Sequence, residues 1–150
     1  MAIPLWLEYG SKLAEVATAL GIFLAFWQIR FGRKQATTAF EDSMAKEYRE
    51  LAAKIPTKAL LGEDLTGEDY EKTFDEFYHY IDLSNEEIFL RQRNRVSVET
   101  WIYWLDGIKS NLSRPAFKRA WEEIKARNKD SFNELRRLEA SGFKDDPRNW

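Results

Sequence analysis

The sequence predicts an all-α protein: an N-terminal transmembrane helix that continues into a cytoplasmic helical bundle and assembles as an oligomer. Three observations carry this expectation. Period-2 alternation of apolar and polar residues is nowhere sustained, whereas apolar residues recur at three- and four-residue steps through most of the chain. Seven glycines and four prolines in 150 residues leave little to interrupt helices. Val16 to Ile29 is a run of 14 residues without a charge, followed directly by the basic cluster Arg30, Arg33 and Lys34.

The first helix begins near Pro4, a residue suited to a first helical turn. Its uncharged run is about 21 Å long at 1.5 Å per residue, short of the roughly 30 Å hydrocarbon core. Extension back to Leu5 gives about 37 Å and brings in Glu8, Lys12 and Glu15. At 100° per residue the segment has three faces. Glu8, Ser11, Lys12, Glu15 and Thr18 share a polar sector and are the expected pore-lining residues. Ala14, Thr18, Gly21 and Ala25 form a small-residue stripe for helix packing. Leu13, Val16, Leu20, Phe23, Leu24 and Trp27 fill a bulky face expected to meet lipid. Trp27 and the flank Arg30, Arg33, Lys34 sit where interfacial aromatics and cations lie, which places the C-terminal side in the cytoplasm. These features predict residues 1–30 as a transmembrane helix and 31–150 as a cytoplasmic helical domain, single-pass in a bacterial inner membrane. A cleaved signal peptide is not expected, because no positive charge precedes the apolar run. The competing reading is an amphipathic helix of a soluble bundle, which the mean hydropathy of -0.56 favours.

No proline falls between Pro4 and Pro56, so the helix is expected to run on, with Ala36, Phe40, Met44, Tyr48, Leu51 and Ile55 as an apolar stripe and Gly32 as a soft point. Thr66 with Asp69 signals the start of a second long helix ending near Arg93, burying Tyr70, Phe74, Phe77, Ile81 and Ile88 or Phe89. Ser97 caps a third helix that turns Trp101, Trp104, Leu105, Ile108 and Leu112 inward. Pro115 opens a fourth with Phe117, Trp121 and Ile124. A short helix from about Ser131 carries Phe132, Leu135 and Leu138 and stops at Gly142; an irregular tail to Trp150 is expected.

Charge is unevenly spread. Residues 63–87 hold ten acidic side chains against Lys72, and residues 114–137 hold eight basic against four acidic. Such patches pair within the fold or head to tail between subunits, the second being a way to close a ring.

Little here builds a catalytic centre. The absence of cysteine removes thiol catalysis and zinc–thiolate sites. No glycine-rich phosphate loop, H-E-x-x-H or G-x-S-x-G occurs. The single histidine, His79, lies in the run FDEFYHYID. Helical RNases named for higher-eukaryote and prokaryote nucleotide-binding (HEPN) domains place an arginine four to six residues before a histidine. Here those positions are Lys72, Thr73 and Phe74, so the signature fails and a divergent RNase is the weakest reading. Arg91, Arg93 and Arg95 fall at a helix end, where cations meet the dipole, and no direct nucleic-acid site is expected. Glu86 and Glu87 beside Asp82 read as a solvated acidic face. No catalytic, cofactor-binding or metal-ligating residue is assigned, and no cofactor.

The runs LAEVATALGIFLAFWQ, FEDSMAKEYRELAAKIP with ALLGE, and YIDLSNEEIFLRQRNRVSVETWIYWLDGIKSNLSRPAFKRAWEEIK resemble a family of small bacterial membrane proteins, covering about residues 10–139. The family is similar to the membrane accessory proteins of type VI-B CRISPR loci and to related helical membrane proteins of unassigned function. The resemblance implies an oligomeric ring with a central pore that strengthens antiviral defence by perturbing the inner membrane. It implies the lipid bilayer, further copies of the chain and an RNA-guided CRISPR effector as partners. The alternative is a soluble or peripheral helical scaffold that binds a protein partner.

Overall fold

A computed structural model describes the backbone of residues 5–150 and the side chains of residues 16–150. The described residues form six α-helices and a terminal 3-10 turn, with no strand among them. The first helix, α1, runs Leu5–Ala52 and passes through Gly32 without a break. A single turn, α2, covers Thr57–Leu60. The long α3 spans Gly67–Gln92, α4 Val98–Ser113, α5 Pro115–Arg127 and α6 Asn133–Ala140. The 3-10 turn Pro147–Asn149 follows. The chain divides into two units between Ala39 and Phe40.

The second unit holds the core. Its α3 buries Tyr70, Thr73, Phe77, Tyr80, Ile81, Ser84, Ile88 and Arg91, the three- and four-residue steps of one helix face. Phe77 and Tyr80 pack edge-on against Phe117 of α5, with ring centroids 4.8 and 5.1 Å apart. Trp121 closes the core beside Phe132, and Leu135 and Leu138 of α6 are fully buried. Met44 and Leu51 of α1 and Ile55 beyond it join the same core, with Phe40 packed against it. Glu41 of α1 accepts hydrogen bonds from the Ser97 amide at 2.7 Å and the Thr100 hydroxyl at 2.8 Å, reinforcing the start of α4.

The helix starts follow local chemistry. The Ser97 hydroxyl accepts from the Thr100 amide, as its N-cap position demands. Pro115 opens α5 at a point where its missing amide costs no hydrogen bond. Thr66 holds the N-cap position of α3, although its side chain makes no capping hydrogen bond. Phe132 precedes α6 in the left-handed conformation, φ 60°, an uncommon position for a bulky residue; its burial in the core supplies the compensation.

Two expectations need correction. The segment after Gly142 is tied into the fold rather than loose. Asp146 accepts from Arg91 and from the Arg148 amide, Pro147 is buried, and Arg137 lies over the Trp150 ring. More important, the single-pass span over residues 1–30 in a bacterial inner membrane, with residues 31–150 cytoplasmic, is not supported. Among the described residues no helix is long and apolar enough to cross a membrane. The uncharged run stops at Ile29, and Arg30, Arg33 and Lys34 arrive before a bilayer's thickness has been covered.

Candidate functional site

The first unit presents an apolar surface. Val16, Leu20, Ile22, Phe23, Leu24, Phe26, Trp27, Ile29 and Phe31 are all at least half exposed. Ile22, Phe26 and Ile29 fall in the sector that Thr18 occupies, so beyond Thr18 the helix is apolar on every side. The contacts recorded here are one turn apart: Trp27 stacks on Phe31 with centroids 5.6 Å apart, Arg30 lies over Phe26, and the Thr38 hydroxyl donates to the Lys34 carbonyl.

The structure places the residues singled out from the sequence as follows. Thr18, Gly21 and Ala25 of the small stripe are exposed, as are Val16, Leu20, Phe23, Leu24 and Trp27 of the bulky face and Arg30, Arg33 and Lys34 of the flank. A Cβ added at Gly21 would meet nothing within 4 Å. The side chains of Glu8, Ser11, Lys12, Leu13, Ala14 and Glu15 lie outside the described residues. Lumen and lipid roles for these positions presupposed a spanning helix and go no further.

The second unit contains a cleft of about 330 Å³ between α1, α3 and α4. Tyr48 and Arg49 come from α1, Tyr80 and Glu87 from α3, and Tyr103 and Trp104 from α4. Tyr48 and Tyr80 meet edge-on, centroids 6.3 Å apart. The Asn111 side-chain amide donates to the Tyr80 hydroxyl at 3.0 Å and reaches the Tyr48 hydroxyl at 3.5 Å. Its carbonyl oxygen accepts from Arg114, which fixes the orientation of the amide. Burial holds the Tyr80 phenol well above its ordinary range.

Glu87 is the anomaly of this cleft. It is 6% exposed, and its carboxyl makes no hydrogen bond or ion pair among the described residues. Burial pushes its pKa up to about 8, and the charges of Glu47 and Glu86 add to the effect. The acidic run of α3 was expected to be solvated. Asp82 and Glu86 are exposed, but Glu87 is not. It lies seven residues after Tyr80, two turns along the same inward face, and that spacing is the sequence signal that identifies it.

A second groove is lined by Glu47, Glu50, Glu76, His79, Asp82 and Glu86. One oxygen of Glu76 is buried there without a hydrogen-bond partner. Among the described residues no group of three or more His, Asp or Glu is placed to hold a metal ion. His79 is exposed, and Lys72, seven residues before it, pairs with Glu68 at 2.5 Å.

The basic residues are largely engaged within the fold. Arg91 is 3% exposed, donates twice to Asp146 at 2.9 and 2.5 Å, and donates to the Val96 carbonyl at 2.9 Å. Arg119 lies over the Tyr70 ring at 3.7 Å and Arg127 over Phe74 at 5.3 Å, while Glu123 accepts from the Tyr70 hydroxyl. The basic α5 thus meets the start of the acidic α3 inside one chain. No family model, curated protein or solved structure matches the sequence.

Proposed function

We propose that this protein is a non-catalytic helical scaffold whose apolar segment Val16–Phe31 associates with other protein helices, copies of the same chain among them. The observation that carries this reading is the exposure of nine large apolar side chains on every side of one helical stretch. A helix apolar all round is a buried helix, and the first unit contains nothing with which to bury it. An interfacial position on a lipid surface fits poorly, because such helices keep one polar face. The space around Gly21 supports close helix–helix approach there. The resemblance to CRISPR accessory proteins suggests an RNA-guided effector as a second partner.

Sedimentation of the full chain tests the proposal. Concentration-dependent assembly is expected, and Leu20→Glu with Phe23→Glu should abolish it while leaving the helical signal of residues 40–150 intact. A monomer at every concentration, or retention in a membrane pellet after alkaline carbonate, would overturn it.

A further inference from the structure

We propose that the cleft between α1, α3 and α4 is a binding site for a small organic cation, a quaternary or alkylated ammonium. Glu87 would supply the counter-charge, and Tyr48, Tyr80, Tyr103 and Trp104 the surrounding aromatic rings.

Three features on the page converge. The first is the carboxyl of Glu87, nine-tenths buried and without a hydrogen-bond donor from the described residues. A buried polar group in this condition is rare and calls for a partner from outside. The second is the wall. Four aromatic side chains converge on one cavity of about 330 Å³, and aromatic faces attract weakly hydrated cations through their quadrupoles. The third is the lack of competition for the carboxyl. Arg49 stands at the cleft but is exposed and makes no recorded ion pair with Glu87.

The same features select the ligand class. A divalent metal lacks its ligand set, since no group of three His, Asp or Glu is assembled among the described residues. An anion would face the negative field of Glu47 and Glu86 around Glu87. A bare ammonium keeps its water tightly, whereas an alkylated one gives it up to an aromatic wall at lower cost.

Binding is linked to a proton. With its pKa raised to about 8, Glu87 is largely neutral at pH 7 and must lose its proton to face a cation. The groups around it are Glu47, Tyr48 and Arg49 from α1, Tyr80 and Glu86 from α3, and Tyr103 from α4. Affinity should therefore rise about tenfold per pH unit up to about 8 and then level off.

The experiment uses the full chain and choline chloride as probe, followed by tryptophan fluorescence and calorimetry at constant ionic strength set with sodium chloride. Its neutral carbon isostere, 3,3-dimethyl-1-butanol, is the control. The expected result is saturable choline binding, at least about tenfold weaker for the isostere and for Glu87→Gln, and weakened also by Trp104→Leu. Arg49→Gln should tighten it by about two- to threefold by removing a like charge. Absence of choline binding by the unaltered chain overturns the proposal. So does equal affinity for the neutral isostere. If Glu87→Gln fails to keep its helical signal, the Trp104→Leu and isostere comparisons decide, and unchanged affinity in both overturns the site.

Discussion

The two units of this chain use the same helical grammar and reach opposite results. Between Val16 and Phe31 the large apolar side chains are half exposed or more, whereas in α3, α4 and α5 residues of the same kind are buried to a few per cent. Phe23 and Phe77 differ in this respect alone: both sit inside long helices, yet Phe77 lies against Phe117 and Tyr70 while Phe23 is 66% exposed. Helical periodicity therefore says where side chains point, and composition around the helix says whether anything waits there. A stretch with an apolar stripe finds its partners within one chain. A stretch apolar on every side demands partners from beyond it.

The contrast can be broken at several points. The largest effect is expected in the core of the second unit. Phe77→Ala or Trp121→Ala should destabilise it by about 3–5 kcal/mol in urea unfolding, since each removes a fully buried ring. Arg91→Ala should cost about as much, roughly 3–5 kcal/mol, by leaving Asp146 without the guanidinium it accepts from. The Arg91 guanidinium holds the Asp146 carboxyl below the ordinary carboxylate range. That contribution is present above the unfolded value of about 4 and is lost as pH falls through the lower folded value. Asp146→Asn should flatten this acid limb of the stability profile.

Glu87 works in the opposite direction. Its folded pKa lies above the unfolded value of 4.5, so its protonated form is favoured in the fold, and stability declines as pH rises from 4.5 to about 8. Glu87→Gln should remove that slope and stabilise the second unit at pH 8 by about 1–2 kcal/mol, read from urea midpoints. The smallest effect sharpens the comparison most. Gly21→Leu meets no atom in its own chain and exchanges a poor helix former for a good one, so the stability of the second unit should change by less than about 0.5 kcal/mol. Assembly of the full chain, followed by sedimentation, should nevertheless weaken, because the small face is filled.

The bundle was legible wherever the signal was local. Ser97 with Thr100, Pro115 after Arg114, and the spacing of Tyr70, Phe77, Ile81 and Ile88 each declare a helix start or an inward face within a few residues. What was not legible depends on distant partners. Nothing near Arg91 announces Asp146, 55 residues away, and a basic run at a helix end gives no hint that its first member is buried. Phe132 in a left-handed conformation follows from its place beside Trp121, which no local preference encodes. Glu87 was hidden among acidic neighbours, since charge composition outweighed helical phase in reading that run. The apolar run Val16–Ile29 misled for a related reason. Its composition suggests a membrane, whereas a span is decided by length, and 14 uncharged residues fall short.

The pairing of Arg91 with Asp146 also orders events during synthesis. At about 5–20 residues per second, the 55 residues separating the two take about 3–11 s to emerge. Throughout that interval α3 can form, but its last turn carries a guanidinium with no carboxylate to meet. The bundle is thus held short of completion until the 3-10 turn arrives to lock it. A nascent chain paused before Asp146 would present an unsealed core edge to whatever chaperone or protease is at hand.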